Sequence, residues 1–454
     1  MTTCLHIFRR DLRLNDNTAL NKASQEHDII PAFIFDPRQV ETNEYKSDNA
    51  VQFMIESLHE LNDRIQDDDG RLHVFWGEPT KIIDDVAESV DAVSFNKDYT
   101  PFSKERDKAM KNRCDEHGLD VITADDAYLT TPGSITTNKG TTYKVFTYFE
   151  KSAKRRGVDR PQTNEHTYDE ASSAQRRELA SVEDDVIDEH NESLAVNGGR
   201  SNAERRLEHA ASLGDYDETR EHPWEDGTTR LSAYLKFGVV SPREAYWAVR
   251  DSHGEDHGVI SELYWRDFYA HLLDAYPELL HENLKDKYDD VAWRDDPDGV
   301  KRWKAGRTGF PIVDAAMRQL TETGWMHNRC RMITAAFLCK DLRVHWKTGE
   351  RFFAQHLVDY DPASNNGGWQ WAASTGADSQ PYFRMFNPWR QQEKYDADCE
   401  YIKHFVPELR GLDPETIHGL EDNDVPGGVD YPEPIVDHSE AATKTKEVFK
   451  EASQ

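Results

Sequence analysis

The chain has 454 residues, more than one typical domain holds, so two domains joined by a linker are expected. Asp plus Glu number 85 against 55 Lys plus Arg, a formal net charge of −30 that is spread along the chain rather than gathered in a tail. Such a balance excludes a generally basic, nucleic-acid-coating surface, leaves room for a local basic cleft, and suits a protein kept soluble in concentrated salt, which screens its self-repulsion. No run of eighteen apolar residues occurs, and the start, MTTCLHIFRRDLRLND, lacks the apolar core and cleavage pattern of a secretory signal. The five cysteines (Cys4, Cys114, Cys330, Cys339, Cys399) show no CxxC or zinc-like spacing, so the expectation is a reduced, soluble, cytoplasmic chain with no metal site.

Residues 1–130 alternate short apolar runs with amphipathic segments. CLHIF, DIIPAFIFD, RLHVFW, AVSF and LDVIT read as buried strands, while VQFMIESLHELNDRI and SKERDKAMKNRCDEHG read as helices, which together predict a parallel, Rossmann-like α/β domain. The loop after the first strand is FRRDLRLND, so the GxGxxG dinucleotide fingerprint is absent. Residues 131–213, polar and poor in apolar periodicity towards their end, read as an interdomain linker. From 214 to 420 apolar positions recur at helical spacing, and ten of the eleven tryptophans lie from Trp224 to Trp389, predicting an all-helical second domain. Residues 421–454, acidic and interrupted by Pro and Gly, read as a frayed tail.

Several stretches of the helical half carry polar groups that a core does not explain. In 227-GTTRLSAYLKFGVVSPRE-244, Thr228, Thr229 and Arg230 before an amphipathic segment suit an anionic phosphate, or a simple helix cap. In 261-SELYWRDFYAHLL-273, Glu262, Trp265, Arg266 and Tyr269 share one helix face, suited to flat bases or to a half-exposed Glu/Arg pair. In 325-WMHNRCRMITAAFLCKDL-342, Asn328, Arg331, Met332 and Ala335 share a face on which Asn and Arg need polar partners. Finally, 359-DYDPASNNGGWQWAASTG-376 places two carboxylates, two amides, two glycines and two indoles at one helix start, with no His or Cys at ligand spacing.

Taken together, FRRDLRLND, GTTRLSAYL, ELYWRDF, TGFPIVDAAMRQL, WMHNRCRMITAAFL and NNGGWQWAASTG closely resemble class I DNA photolyases of the photolyase/cryptochrome family, in the family's order and from the first strand to about Lys394. The resemblance implies an antenna-binding α/β domain and a helical domain holding a folded FAD. It implies flavin contacts at Tyr216, Thr228, Thr229, Arg230, Leu231, Ser232, Asp359, Tyr360 and Asp361, with Asn365 facing flavin N5 and Arg331 pairing with Asp359. Trp369, Trp346 and Trp293 match the family's electron-hopping chain, whereas Trp371 matches a residue that stacks on the damaged bases.

The lesion set Glu262, Trp265, Asn328, Met332 and Trp371 is that of cyclobutane pyrimidine dimer enzymes, and Arg220, Arg266, Arg329 and Gln391 match DNA-contacting positions; Arg390 and Lys394 extend that strip. The implied activity is that of a deoxyribodipyrimidine photo-lyase: FADH⁻ absorbs blue or near-UV light, donates an electron to a flipped-out dimer in damaged DNA, and recovers it after ring opening. For the antenna, 99-YTPFSKERD-107 is nearer the 8-hydroxydeazaflavin type than the methenyltetrahydrofolate type. The rival readings are a cryptochrome-type blue-light receptor and a (6-4) photolyase. A monomer with no membrane association is expected.

Overall fold

The structure is a computed structural model that describes residues 2–41, 43–170, 176–187 and 189–454. Five apolar runs become the strands β1 (Thr2–Phe8), β2 (His27–Phe35), β3 (His73–Trp76), β4 (Ala92–Asn96) and β5 (Asp120–Ala124), all parallel, in the order β5-β4-β1-β2-β3. Helices cover both faces, which is why these strands are near-continuously apolar rather than alternating. The helix Asp48–Asp67 starts on the Ser47 side-chain cap, and the helix Pro101–His117 starts on Thr100 and stops at left-handed Gly118. Because β1 lies between β2 and β4, the strand order reverses beside it, and a crevice opens at the carboxyl ends of the strands. A cavity of about 530 Å³ occupies that place.

The loop FRRDLRLND ties this layer to the helical half. Arg13 donates to the Gly238 carbonyl at 3.0 Å, Arg243 of the helical half pairs with Asp16 at 2.8 Å and with Asp126 at 2.7 Å, and Arg10 bridges Asp98 (3.1 Å) and Asp361 (2.7 Å). Gly238 permits the approach: at φ +62° it leaves the room in which a Cβ would stand 2.0 Å from the Arg10 carbonyl oxygen.

The segment read as a linker is built into both halves. The two-residue strand β6 (Arg176–Arg177) adds antiparallel to the β3 edge, and helices form at Phe146–Lys154, Leu179–Val186 and Arg200–Ser212. Phe146 and Phe149 are buried against Phe268 of the helix Gly258–Ala275, at 5.8 and 5.5 Å between rings. A few well-spaced anchors in a polar stretch suffice, and an average over composition hides them.

The expected frayed tail is also corrected. Helix His438–Ala452, capped by Asp437, docks on the helical domain, where Phe449 and Thr445 are fully buried and Val448 is nearly so. These residues and Ala452 fall three, four and seven apart, a narrow stripe on an otherwise acidic and basic helix. His438 adds an ion pair to buried Asp341 at 2.5 Å, and Lys340 lies 3.7 Å from the Phe449 ring centroid. Replacing Phe449 by Ala is expected to lower the unfolding free energy by about 3 kcal/mol or more, measured as a shift of the urea midpoint; an unchanged midpoint contradicts the docking.

Candidate functional site

The helix Pro362–Ala373 organises the site. Asp361 caps it, accepting from the Ser364 amide at 3.0 Å with one oxygen and from Arg10 with the other. Burial pushes the Asp361 carboxyl up, but Arg10, Lys236 and Arg266 outweigh it and hold it at about 2. Gly367 faces the Tyr269 ring where a Cβ would stand 2.1 Å from Cδ1, so the glycine brings this helix onto Gly258–Ala275. Successive helical residues turn by about 100°, so Trp369 and Trp371 leave the helix on nearly opposite sides: Trp369 is buried, Trp371 half-buried near Phe386.

Asp359, in the turn before the helix, pairs with Arg331 at 2.7 Å, and Arg331 also donates to the Met326 carbonyl at 2.8 Å. The other Asp359 oxygen, Oδ1, is buried without a protein partner, while Nε of Arg230, which adopts φ +49°, lies 3.2 Å from Asp226 Oδ1. Nearby, Arg206 donates to the carbonyls of Thr228 and Thr229 at 2.9 Å each, and Thr229 Oγ1 accepts from the Leu231 amide at 3.3 Å. Tyr216 and Leu231 are buried and Ser232 is exposed.

Asn365 reveals a partner that the motif reading missed. Its amide nitrogen donates to Glu350 through both the backbone oxygen (3.1 Å) and Oε1 (3.0 Å), which leaves the Asn365 carbonyl oxygen for another donor; the Tyr360 hydroxyl lies 3.5 Å from the same Oε1. Glu350 is 4% exposed. Burial raises its carboxyl from the ordinary 4.5 to about 7, against the lowering effect of Asn365 and Tyr360. The sequence signal was present: Glu350 stands between Trp346 and Phe353, at helical spacing, on the apolar face of the helix Trp346–His356.

Arg220 pairs with Glu262 at 2.7 Å. Burial lifts the Glu262 carboxyl above its ordinary value, with Arg220 opposing. The adjacent Glu221 pairs with Arg329, whose guanidinium also lies 4.4 Å from the Tyr395 ring centroid. Next to Arg329, exposed Asn328 reaches the Met332 sulfur at 3.9 Å. Trp265 stacks on Phe146 with 3.8 Å between centroids and 9° between planes, so one face of the indole is already covered. The Gln391 side-chain oxygen is buried and unpartnered. Arg266 departs from expectation: it donates to the carbonyls of Ala127 (2.5 Å) and Leu235 (3.0 Å) over the Tyr128 ring, directed into the domain junction.

The three tryptophans form an inside-to-outside series. Trp369 packs edge-on to Phe353 (4.9 Å) and Trp303 (6.1 Å), above Gly349, where a Cβ would stand 2.0 Å from its Cη2. Trp346 is fully buried and donates to Asn283 Oδ1 at 2.9 Å. Half-buried Trp293 lies 5.4 Å from His345, which is itself 5.4 Å from Trp346. Phe449 covers the edge of Trp293 at 5.8 Å.

The cavity at the strand ends is walled by Phe8, Phe35, Met54, Phe102, Arg106 and Lys236, and reaches Glu350, Tyr360 and Pro362 of the helical half. Thr100, Pro101, Phe102, Ser103 and Arg106 of the YTPFSKERD stretch line it. Among the described residues no three His, Cys, Asp or Glu side chains gather as a metal site would need.

An α/β layer with a ligand-sized crevice, joined to a helical domain that surrounds buried, unpartnered polar atoms and a tryptophan series, is the architecture of a two-domain flavoprotein. Family models bear on each half: "DNA photolyase" matches residues 4–166 and "FAD binding domain of DNA photolyase" matches 259–451. The deoxyribodipyrimidine photo-lyase of Halobacterium salinarum is 38% identical, with 98% of both chains covered. Among solved structures, an archaeal photolyase from Sulfolobus tokodaii with two FAD molecules superposes with a TM-score of 0.89 at 40% identity, over 99% of this chain and 100% of that one. A class III photolyase from Agrobacterium tumefaciens superposes at 0.90 and 33%, over 100% and 98%. The chain belongs to the photolyase/cryptochrome family.

The residues fit a flavin. Asp359 Oδ1 is an acceptor without a donor, and the Asn365 carbonyl oxygen is left free by the bonds of its amide nitrogen to Glu350, as a ring N–H requires. For Glu350, the folded chain keeps a proton up to about pH 7 that the unfolded chain releases near 4.5, so its contribution to stability is full below that lower value and is lost as pH rises towards the upper one. Wild type is therefore expected to lose up to about 3 kcal/mol relative to Glu350→Gln between pH 4.5 and pH 8; parallel stability curves for the two proteins contradict the buried carboxyl.

Proposed function

We propose that this chain is a deoxyribodipyrimidine photo-lyase that uses light to split cyclobutane pyrimidine dimers in DNA. The observation that carries the reading is the grip of residues 220 and 221 on two helices at once: Arg220 holds Glu262 and Glu221 holds Arg329 beside Asn328. The polar ends of the helices Gly258–Ala275 and Asn328–Ala336 thereby surround one mouth. FAD, bound reduced, supplies the light-driven electron that opens the cyclobutane ring.

The chain's own residues do the rest. Asp359, held by Arg331, and Asp361, held by Arg10, accept from flavin N–H and ribose O–H donors, with Tyr360 beside them. Tyr216 and the stretch Thr228, Thr229, Arg230, Leu231, Ser232 hold the phosphate and ribose end. Glu350 fixes the Asn365 amide so that its carbonyl, not its NH2, faces flavin N5. At the mouth, Glu262 hydrogen-bonds a dimer base and stabilises the charge that develops there. Asn328 and Met332 meet the flipped dimer, Trp371 stacks on it, and Trp265 presents the face that Phe146 leaves open. Arg220, Arg329 and Gln391 serve the phosphates, and DNA must draw both arginines from their glutamates. Arg266 supports the junction instead. Trp369, Trp346 and Trp293 conduct the electron that keeps the flavin reduced, with His345 between the outer two.

The cavity supports a flat antenna: Phe8, Phe35, Phe102 and Met54 offer apolar faces, and Arg106 and Lys236 offer positive charge to an anionic tail. We favour 8-hydroxydeazaflavin over methenyltetrahydrofolate; a second FAD, as in the Sulfolobus tokodaii protein, has the same apolar-ring and anionic-tail chemistry. Among the described residues no helix is long and apolar enough to cross a membrane, and we place the protein with DNA in the cytoplasm as a monomer.

The deciding experiment is repair of a thymine-dimer oligonucleotide by reduced protein in concentrated salt, in blue light and in darkness. Light-dependent restoration of thymines is expected; FAD binding and photoreduction without repair gives a cryptochrome-type receptor instead. Trp369→Phe is expected to block photoreduction yet leave chemically reduced enzyme repairing at the wild-type rate, and equal loss in both assays contradicts its role. Trp371→Ala is expected to weaken dimer binding by about 5- to 100-fold, the worth of one stacked base, without releasing FAD, as read by titration and flavin absorbance.

A further inference from the structure

Trp224 lies three residues beyond Glu221, outside the set that meets the dimer. Its indole is 47% exposed, and it lies 5.1 Å from the ring of His404, tilted by 49°. His404 is exposed as well. Backbone contacts hold the pair from both sides. Buried Pro223 precedes Trp224, and amide-to-carbonyl bonds from His222 to Thr219 and from Glu225 to His222 turn the loop. On the other side, Arg410 donates to the carbonyls of Lys403 and His404 at 2.8 and 2.9 Å, fixing the end of the helix Glu400–Phe405.

The position is set by neighbours already described. Glu221, three residues before Trp224, holds Arg329, and Arg220 holds Glu262, so the aromatic pair continues outward from the arginines that would meet phosphate. The charge around it is mixed: Glu225 and Asp226 follow Trp224, Asp226 is paired with Arg206 and Arg230, and the helix that carries His404 bears Lys403 and is closed by Arg410. An exposed aromatic face near phosphate-binding arginines is one component of a single-strand stacking platform.

We infer that Trp224, backed by His404, stacks on a base flanking the dimer in the damaged strand. The inference rests on the photolyase reading. Flipping the dimer out unstacks its neighbours, and a π face next to the phosphate-binding arginines receives one of them. Stacking also has a physical advantage on this acidic chain. Contacts to phosphate weaken steeply as salt rises, whereas contact between two flat, apolar faces is not screened. An enzyme that needs salt to suppress its repulsion from DNA therefore keeps, in stacking, the part of its affinity that salt leaves intact.

The test is titration of a dimer-containing oligonucleotide, with 2-aminopurine beside the dimer, into wild type, Trp224→Ala, Trp224→Phe and His404→Ala at about 0.2 M and about 2 M KCl. Trp224→Ala is expected to lose about 5- to 10-fold in affinity, by the same factor at both salts, and to lose the quenching of 2-aminopurine. Trp224→Phe keeps most of both, His404→Ala shows a smaller loss, and FAD content is the same in all four. Equal affinity of wild type and Trp224→Ala, or a loss that disappears at the higher salt, overturns the platform alone. A wild type that binds no dimer oligonucleotide at either salt removes the photolyase reading itself, and the platform with it.

Discussion

The arrangement depends on one side chain placed between two domains. Arg10 leaves the loop after the first strand and reaches Asp98, on the wall of the α/β cavity, and Asp361, the cap of the helix that carries Asn365, Trp369 and Trp371. Taking two carboxylates out of water is unfavourable unless a cation accompanies them. Arg10 meets that requirement for both, and so fixes where the helix begins. Once its first turn is placed, the 100° step per residue decides the rest: Asn365 towards Glu350, Trp369 into the core, Trp371 towards Phe386.

That helix separates two tasks by direction. Its buried side carries Trp369 against Phe353 and Trp303, while its other side carries half-buried Trp371 near Phe386. The glycines make this geometry possible in different ways. Gly367 admits the Tyr269 ring from the neighbouring helix, and Gly349 admits the Trp369 ring. Each omits a methyl group so that a large ring can lie against backbone, which answers why a helix start this rich in Gly, Asn and Trp is stable at all. Asn366 and Gln370 bond to each other at 3.0 Å, and Gln370 bonds on to the carbonyls of Leu279 and Glu282, so the amides in this stretch brace the neighbouring segment.

Charge is used differently inside and outside. The acidic excess lies mostly on the surface, where salt screens it. The pairs that join the domains, Arg243 with Asp16 and with Asp126, are largely buried and feel little of that screening. Such pairs add little net stability over apolar packing, but breaking one strands a charge. They therefore specify how the halves dock. Within the helical domain, Asp359 keeps one oxygen unpartnered beside its arginine, a polar atom reserved for a ligand rather than for the fold.

By itself, the sequence determined the α/β layer, because strands buried on both faces must read as apolar runs, and the helical half, because helical periodicity is a local signal. The motif residues were legible for the same reason: residues three or four apart share a helix face whatever surrounds them. Only the tertiary structure decided the partners. Glu350 gains its meaning from Asn365, fifteen residues on, and Arg266 points into the junction because the carbonyls of Ala127 and Leu235 await it there. Residues 131–213 and 421–454 look like connection and tail in composition, yet Phe146, Phe149 and Phe449 anchor them in cores assembled by distant chain. Composition is an average over neighbours in sequence, whereas burial is settled by neighbours in space.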